Sequence, residues 1–403
     1  MSNDRRVFIV NALRTPFDKF GGPMRNVHST DLGAHVIREI MAKAGVGGEM
    51  VDILYYGACI PAETSLECNI PARQALLKAG MPAEMLSLSI DRACCSSMTA
   101  TILGYQGIKS GLYDITLAVG AENMMNAPLL GRGFRWESKL GHRVLEDPLF
   151  EIGYKGAFNP VAIDAGEVAL EHGVTREEQD AWSYGSQARY QEAFKAGKFA
   201  DEIVPIEVPA GRGKAEILEV DQCPRPDVTL EKLAKLDTVY GSPTVTAGNA
   251  PALASGASAM LLMSGKAAEK YGLEPLAEIV AVHSIALKPR LLAEAPAPAI
   301  AGVVEKAGLR LDQIDLIEIN EAFAAMPCVA SRILAGGDAG LEKDLHGRIN
   351  VNGGAVALGH PVGASGARIT MTLAYELRRR GGGIGAASIC GGLAQGDAVV
   401  LKV

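Results

Sequence analysis

The chain has 403 residues, enough for two or three domains around a large buried core. A hydrophobic fraction of 48%, with 46 glycines and only 5% aromatics, excludes a disordered or collagen-like protein and fits a close-packed α/β enzyme. Against 46 acidic residues stand 39 basic ones, a net charge of -7, which excludes general nucleic-acid binding and means that an anionic ligand needs a local basic site.

Val7 to Val10 reads as a first strand. The start, MSNDRRVFIVNALRTPF, has no long apolar segment behind a basic flank, and nowhere do eighteen apolar residues run uninterrupted. A soluble, cytoplasmic, unexported protein without membrane association is expected. Seven cysteines with no paired spacing suit a reducing compartment and form no zinc motif, so no metal is expected. Asp31 is expected to N-cap a helix through Met41 that stops near Gly45. VDILYYGAC from Val51 is the next strand, and Ala72 to Ala79 a short helix.

Leu86, Leu88 and Ile90 then alternate with serines as in a strand, followed by small residues with Met98, Ile102, Tyr105 and Ile108 at helical spacing. The Cys94-Cys95 pair thus sits where a strand turns into a helix. A thiol there meets unpaired N-H groups and the positive end of the helix dipole, which favour thiolate over thiol. The plain alternative is an inert buried cysteine, and a vicinal disulfide would be an oxidation artefact at most. Asp114 to Gly120 closes a β-α-β unit, so the strands before and after this helix should be parallel.

From about Glu122 to Gly248 prolines break the pattern, and one amphipathic helix stands out, TREEQDAWSYGSQARYQEAFKAG, with Thr175 as cap and Glu178 at the capping-box position. This reads as an inserted, loop-rich domain. Its cations Arg212, Lys214 and Arg225 lie in irregular sequence, where they hold a phosphate or are simply solvated. APALASGASAMLLMSGKAAEK is a buried helix or strand that completes the first half, and EIVAVHS opens the second. A strand to Asn352, a loop carrying His360, a helix from Gly363 to Arg380, a strand reaching Cys390, a glycine turn and a last strand from Ala398 follow. The expected division is 1–121 with 249–275 as the first half, 122–248 as the insert and 276–403 as the second half.

The halves repeat. KAGVGGEMVDILYYG from Lys43 aligns without gaps on KAGLRLDQIDLIEIN from Lys306, an offset of 263 that matches Asp52 with Asp315. Carried onward, the offset sets Cys94 opposite Ala357, three residues before His360. In parallel α/β sheets sites form at the carboxyl ends of strands, so a pseudo-twofold repeat would bring both loops to one cleft.

Four features ask for one explanation: Cys94 at a helix start, Asn320 at a strand end, His360 in a glycine-rich loop and Cys390 at another strand end. Each has a bland reading: a turn histidine, a helix-capping asparagine, core thiols. Together, at loop tips of related halves, they look like a site. A thiolate can hold an acyl group as a thioester, with an imidazole to activate it and donors for the oxyanion. A second thiol becomes useful when a proton moves to or from carbon beside a thioester, its ordinary pKa near 8.5 being adjustable by its surroundings. This points to carbon-carbon bond cleavage or formation on a thioester.

The chain resembles the thiolases, the family of acetyl-CoA acetyltransferases and 3-ketoacyl-CoA thiolases. The likeness runs from VFIVNALRTPF through VGAENMMNAP, DEIVPI, TVTAGNA, IEINEAFAAM and NVNGGAVALGHPVGASGAR to CGGLAQGDA. It implies a duplicated five-layer α/β/α/β/α thiolase fold with a loop domain inserted in the first half, and a homodimer or homotetramer. CoA and acyl-CoA thioesters are the implied partners, with CoA a substrate and no permanently bound cofactor. The resemblance makes Cys94 the acylated nucleophile, His360 its activator and an oxyanion donor, and Cys390 the acid/base at the substrate α-carbon. Asn320 would orient a water in that oxyanion hole, and the N-H groups of Cys94 and Gly392 would form a second hole. CoA contacts are implied at Arg225, Ala247 and Phe323.

Several positions depart from the family pattern. Asp91-Arg92 replaces Asn-Arg, Cys95-Ser96-Ser97 replaces Gly-Ser-Gly, and Val161-Ala162-Ile163 replaces the cover-loop His-Met-Gly. Pro251 stands for a serine, Leu292 to Pro296 for Met-Gly-x-Gly-Pro, and Leu393 and Ala394 for two glycines. The changes surround substrate binding, so a branched, aromatic or carboxylated 3-oxoacyl-CoA, such as benzoylsuccinyl-CoA, is expected, with acetoacetyl-CoA as the alternative. A ketosynthase would use two histidines or His-Asn in place of Cys390. A non-catalytic acyl-CoA or lipid carrier is the rival from another class. A required second subunit, as in thiolases that work with a small zinc-finger partner, stays open.

Overall fold

The computed structural model describes residues 5–60, 68–131, 133–134, 136, 140–151, 158–211 and 213–403. Its centre is one twisted sheet built from β1 (Val7–Arg14), β2 (Ile53–Gly57), β3 (Leu86–Ile90), β4 (Ile115–Asn123), β5 (Ala254–Ser264), β6 (Ala277–Ala286), β7 (Leu316–Ile319), β8 (Ile384–Gly391) and β9 (Gln395–Lys402). The spatial order is β7-β8-β9-β6-β1-β5-β4-β2-β3, and the two-residue strand Asp18–Lys19 adds to β5. Read outward from the middle, β6-β9-β8-β7 repeats β1-β5-β4-β2. In each half the two inner pairings are antiparallel and the outer one parallel. The halves meet where β1 and β6 pair antiparallel over Val7–Ile9. Because β3 and β4 are both parallel to β2, they run parallel to each other, as expected.

The matched aspartates show the repeat at atomic scale. The Asp52 side chain accepts the N-H of Ile115 at 2.9 Å, and the Asp315 side chain accepts that of Ile384 at 2.8 Å. These partners lie 63 residues apart in the first half and 69 in the second. The offset therefore grows by six after β7, and Ala357 is not the counterpart of Cys94.

Helices α1 (Ser29–Ala44) and α2 (Pro71–Lys78) cover the outer face of the first half-sheet. Helices α3 (Ser96–Ser110) and α4 (Ser365–Arg379) pack on each other between the half-sheets, and α5 (Pro296–Lys306) and α6 (Ala325–Ala335) cover the second outer face. This is the expected five-layer sandwich. Strand alternation sorts the layers: on β4, Leu117 and Val119 join the outer core and Ala118 the middle one. The middle helices are buried on almost every side, which is why most of their residues are small or apolar and why Arg368 and Glu376 on α4 are buried charges.

Between β4 and β5 lie two longer helices, Val161–Glu171 and Arg176–Lys195, two short ones, Pro148–Glu151 and Leu230–Ala234, and a hairpin of Ile206–Gly211 with Lys214–Leu218. The Thr175–Glu178 capping box forms. Arg14 of β1 is fully buried and ion-paired to Glu202 (2.7 Å) and Asp221 (2.6 Å), which fastens this region to the sheet.

Three local expectations are corrected. His28, not Asp31, caps α1; Asp31 lies in its first turn, paired with Lys78 at 2.8 Å. No strand runs to Asn352 among the described residues. Asn350 has φ 49, and its side-chain amide makes both bonds to Ile319 (2.8 Å each) that a strand backbone would have made. Lys214 starts a hairpin strand and is exposed, while Arg212 lies outside the described residues.

Candidate active site

Strand β3 ends at Ile90 and α3 starts at Ser96, so 91–95 form a tight turn. Ala93 adopts the left-handed conformation there, φ 50, and the turn is over-determined by side chains. Asp91 accepts the Ala93 N-H (3.0 Å), and the Ser96 hydroxyl accepts the Arg92 N-H (2.9 Å) and donates to the Ala93 carbonyl (2.7 Å). Arg92 reaches across to the last strand, with one guanidinium nitrogen on both oxygens of Asp397 (2.7 and 2.8 Å) and Nε on Gln395 (2.9 Å). The turn that carries Cys94 is thus fastened to the opposite half.

His360 comes from that half, just before α4. Its Nε2 lies 3.2 Å from the Cys94 sulfur, and its Nδ1 lies 2.6 Å from the Ser365 hydroxyl. That hydroxyl donates to the Pro361 carbonyl (3.0 Å), so it accepts from Nδ1-H. The tautomer is thereby fixed with the Nε2 lone pair toward the thiol. Asn320, following β7, sets its Nδ2 3.4 Å from the same Nε2. Cys390, one residue before the end of β8, is wholly buried and is followed by Gly391 and Gly392 of the pocket wall.

The electrostatics correct the sequence expectation. Burial, then Cys390, pushes the Cys94 thiol well above its ordinary range, against a smaller lowering by a backbone N-H. Burial likewise pushes Cys390 up to about 12. Burial, then the Arg368 charge, holds His360 down to about 3. The pair rests as thiol and neutral imidazole, because a helix N-terminus does not repay the desolvation of a thiolate in a closed site. All seven cysteines are free.

Cys94, His360, Gly392 and Phe323 line one pocket, with about 960 Å³ between its walls out to the open mouth. Asn320 and Cys390 are not among its lining residues, but each adjoins one that is, Asn320 touching His360 at 3.4 Å and Cys390 preceding Gly391 in the chain. Arg225 and Ala247 are not among its lining residues; the Arg225 guanidinium donates to the Ala247 carbonyl (2.9 Å).

Comparison with known proteins fits this geometry. Residues 7–266 match the thiolase N-terminal domain and 273–403 the thiolase C-terminal domain. An acetyl-CoA acetyltransferase of Pseudomonas aeruginosa is 40% identical, over 98% of both chains. The crystal structure of human mitochondrial 3-ketoacyl-CoA thiolase in complex with CoA superposes with TM-score 0.91 at 38% identity, covering 99% of this chain and 98% of that one. The Bacillus anthracis acetyl-CoA acetyltransferase gives 0.93 at 36%, over 100% of both. The chain belongs to the thiolase family. It has the thiolase fold and is an acyltransferase for which CoA is a substrate.

In this thiolase four of the departures from the family pattern, Val161, Ala162, Pro251 and Leu292, line the pocket, whereas Asp91, Cys95 to Ser97, Ile163, Leu393 and Ala394 are not among its lining residues. Other groups that shape the site escaped the sequence reading. Met124, Leu149 and Tyr240 complete the wall. The Glu122 carboxylate accepts N-H groups from Cys59 (2.9 Å), Ile60 (3.1 Å) and Gly363 (2.9 Å), stitching the His360 loop to the first half. Glu321 accepts from Trp182, Ser186, Asn350 and Val356 at 2.8–2.9 Å and so joins the insert to the His360 loop. Ser365 and Arg368 follow His360 in GHPVGASGAR, and their spacing in the first turns of a helix is the signal the sequence holds for them.

Proposed function

We propose that this thiolase catalyses the CoA-dependent cleavage of a 3-oxoacyl-CoA, or the reverse Claisen condensation, through an acyl-Cys94 intermediate. The observation that carries this reading is the 3.2 Å approach of His360 Nε2 to the Cys94 sulfur, with Nδ1-H committed to Ser365. In the degradative direction Cys94 attacks the 3-oxo carbon while Nε2 takes its proton. The N-H groups of Cys94 and Gly392 hold the developing oxyanion. The carbon-carbon bond breaks, the shorter acyl-CoA leaves as its enolate, and Cys390 gives that carbon a proton; a thiol held near pKa 12 is suited to a carbon acid. Asn320 and His360 stabilise the enolate oxygen, Asn320 through a water. Free CoA then takes the acyl group from Cys94 and returns the thiol.

The acyl group is bulky: branched, aromatic or carboxylated, with benzoylsuccinyl-CoA as one example. The four changed wall positions support this. Among the described lining residues none is Lys, Arg, Asp or Glu, which favours an apolar chain and leaves a carboxylate only at the mouth. CoA would pass Phe323 toward Arg225 and Ala247. The chain works as a homodimer or homotetramer. Supporting this, β3 is an edge strand with Leu86 56% and Leu88 47% exposed, an arrangement that pairs readily with a second copy. Among the described residues no helix is long and apolar enough to cross a membrane, and the cytoplasm is the proposed location.

The test is thiolysis of a panel of 3-oxoacyl-CoAs by the purified chain, with labelled acyl-CoA to trap acyl-enzyme. Cys94→Ala is expected to lose label and all turnover. Cys390→Ala is expected to take up label yet break no carbon-carbon bond. Equal labelling of wild type and Cys94→Ala would support a non-catalytic carrier, equal turnover of acetoacetyl-CoA and bulkier substrates would return the enzyme to acetoacetyl-CoA, and labelling without thiolysis would point to a missing zinc-finger partner.

A further inference from the structure

Three residues past the start of α4, Arg368 is fully buried. Its guanidinium donates to Glu318 Oε2 at 3.4 Å and to Asn320 Oδ1 at 3.5 Å. Glu318 and Asn320 are two residues apart in extended chain and so share a face, which lets one guanidinium reach both. We propose that Arg368 is a positioning residue for the reaction, turning the Asn320 amide so that its NH2 group faces Nε2 of His360. This rests on the reading of His360 as the base for Cys94.

The orientation has one solution. A guanidinium only donates, so the amide must turn its oxygen to Arg368, which leaves its nitrogen 3.4 Å from Nε2, a donor beside the site while the Nε2 lone pair faces the Cys94 thiol. The flipped amide would set donor against donor and acceptor against acceptor, each buried and unsatisfied. The same guanidinium acts on the ring through its charge, since after burial it is the cause that depresses His360. The other charges facing Arg368 are Glu318 and Glu321 beside β7, Glu202 from the insert and Arg14 from β1; the Cys94 thiol lies 3.2 Å from the ring and in turn faces Cys390. Burial pushes Glu318 up to about 8 despite Arg368, so at neutral pH it cancels only part of that positive charge. The sequence motif therefore encodes a relay in two segments: Glu318 and Asn320 in IEINEAF, His360 and Arg368 in GHPVGASGAR.

The experiment compares wild type, Arg368→Met and Arg368→Lys between pH 5 and 9, on protein checked for folding by circular dichroism. It reads acylation by rapid mixing and alkylation of the Cys94 peptide by iodoacetamide. Arg368→Met is expected to lose about ten- to a hundredfold in acylation and to shift the acid limb of the profile upward in pH, while burial still holds it below the ordinary imidazole range, about 6.5. Arg368→Lys keeps the charge, so its alkylation profile stays flat, but it loses acylation similarly because a point charge does not hold an amide in plane. Unchanged acylation in both variants, or identical profiles in all three proteins, would overturn the proposal. If Arg368→Met does not fold, Asn320→Asp decides: it keeps the Arg368 partner but has no N-H for Nε2, and wild-type acylation by it would overturn the proposal equally. His360→Asn separates the two readings, since wild-type alkylation by that variant would remove the base itself, whatever Arg368 does.

Discussion

The Cys94 sulfur and Nε2 of His360 stand 3.2 Å apart, and at neutral pH neither group is charged. Burial raises the thiol and depresses the imidazole, so an ion pair would have to form without water to stabilise it. The nucleophile is therefore generated as the substrate carbonyl arrives with its oxyanion donors. A resting thiol is also a poor target for oxidants, which react with thiolate.

This neutral pair has a pH signature. A base held near 3 and a thiol held far above neutrality leave base-assisted acylation flat from about pH 5 to 8, with no step near 6.5. Replacing His360 by Asn should convert the profile to a rise of about tenfold per pH unit, the slope of simple thiol ionisation. Rapid-mixing acylation across that range checks both, and a wild-type inflection near 6.5 would show an ordinary histidine.

The acyl wall can be narrowed at Ala162, which is buried and lines the pocket. Ala162→Met is expected to lower kcat/KM for bulky 3-oxoacyl-CoAs by about tenfold or more while sparing acetoacetyl-CoA, since each misfit methylene is worth about 1–3 kcal/mol in an apolar pocket. The ratio of the two specificity constants is the measurement. A parallel fall for both substrates would mean the residue does not face the acyl chain.

Gly120 on β4 faces the His360 loop at a distance that admits no side chain. A Cβ there would lie 2.2 Å from the Gly363 carbonyl oxygen and 2.6 Å from Ser97 Cβ. Gly120→Ala should cost about 1–3 kcal/mol of stability, as overpacking does, and should slow acylation disproportionately by pushing His360 from Cys94. Denaturant unfolding and acylation rates, measured together, test it; an active variant of wild-type stability would contradict the close approach.

Glu376 on α4 links α4 to the insert through Lys198 (3.1 Å) and also binds Asn352, Arg379 and Arg380. Burial would raise its carboxyl, but hydrogen bonds from Asn352, Arg380 and Lys198 outweigh that and hold it near 2. A carboxyl depressed in the folded state stabilises above its unfolded pKa, about 4.3, and that contribution is lost as pH falls through about 2. Glu376→Gln should therefore be less stable by about 1–2 kcal/mol at pH 7, discounting for screening of the partly exposed cations, and equal to wild type near pH 2. A difference independent of pH would refute the ionic account.

The sequence disclosed what depends on local pattern. Alternation around Leu86 and helical spacing from Met98 located the Cys94 turn, and Asp52 with Asp315 exposed the duplication, because each acts within its own half. What it hid depends on contacts between distant segments. The charge state of Cys94 is decided by its burial and then by Cys390 from the other half, neither of which a helix dipole reveals. Glu122, Glu321 and Arg368 look like surface charges in the chain and are buried because backbone or side-chain partners far along the sequence satisfy them. Asn350 imitates a strand with its side chain, and no periodicity records that.

Strand β9 follows every other strand of the sheet in sequence, yet it lies inside the sheet, paired on both edges to β8 and β6. During synthesis the second half-sheet stays split until those eight residues, Gln395–Lys402, emerge. Asp397, which anchors the turn of Cys94 through Arg92, is among them. A chain that lacks them thus carries the Cys94 turn without the anchor that ties it to the opposite half.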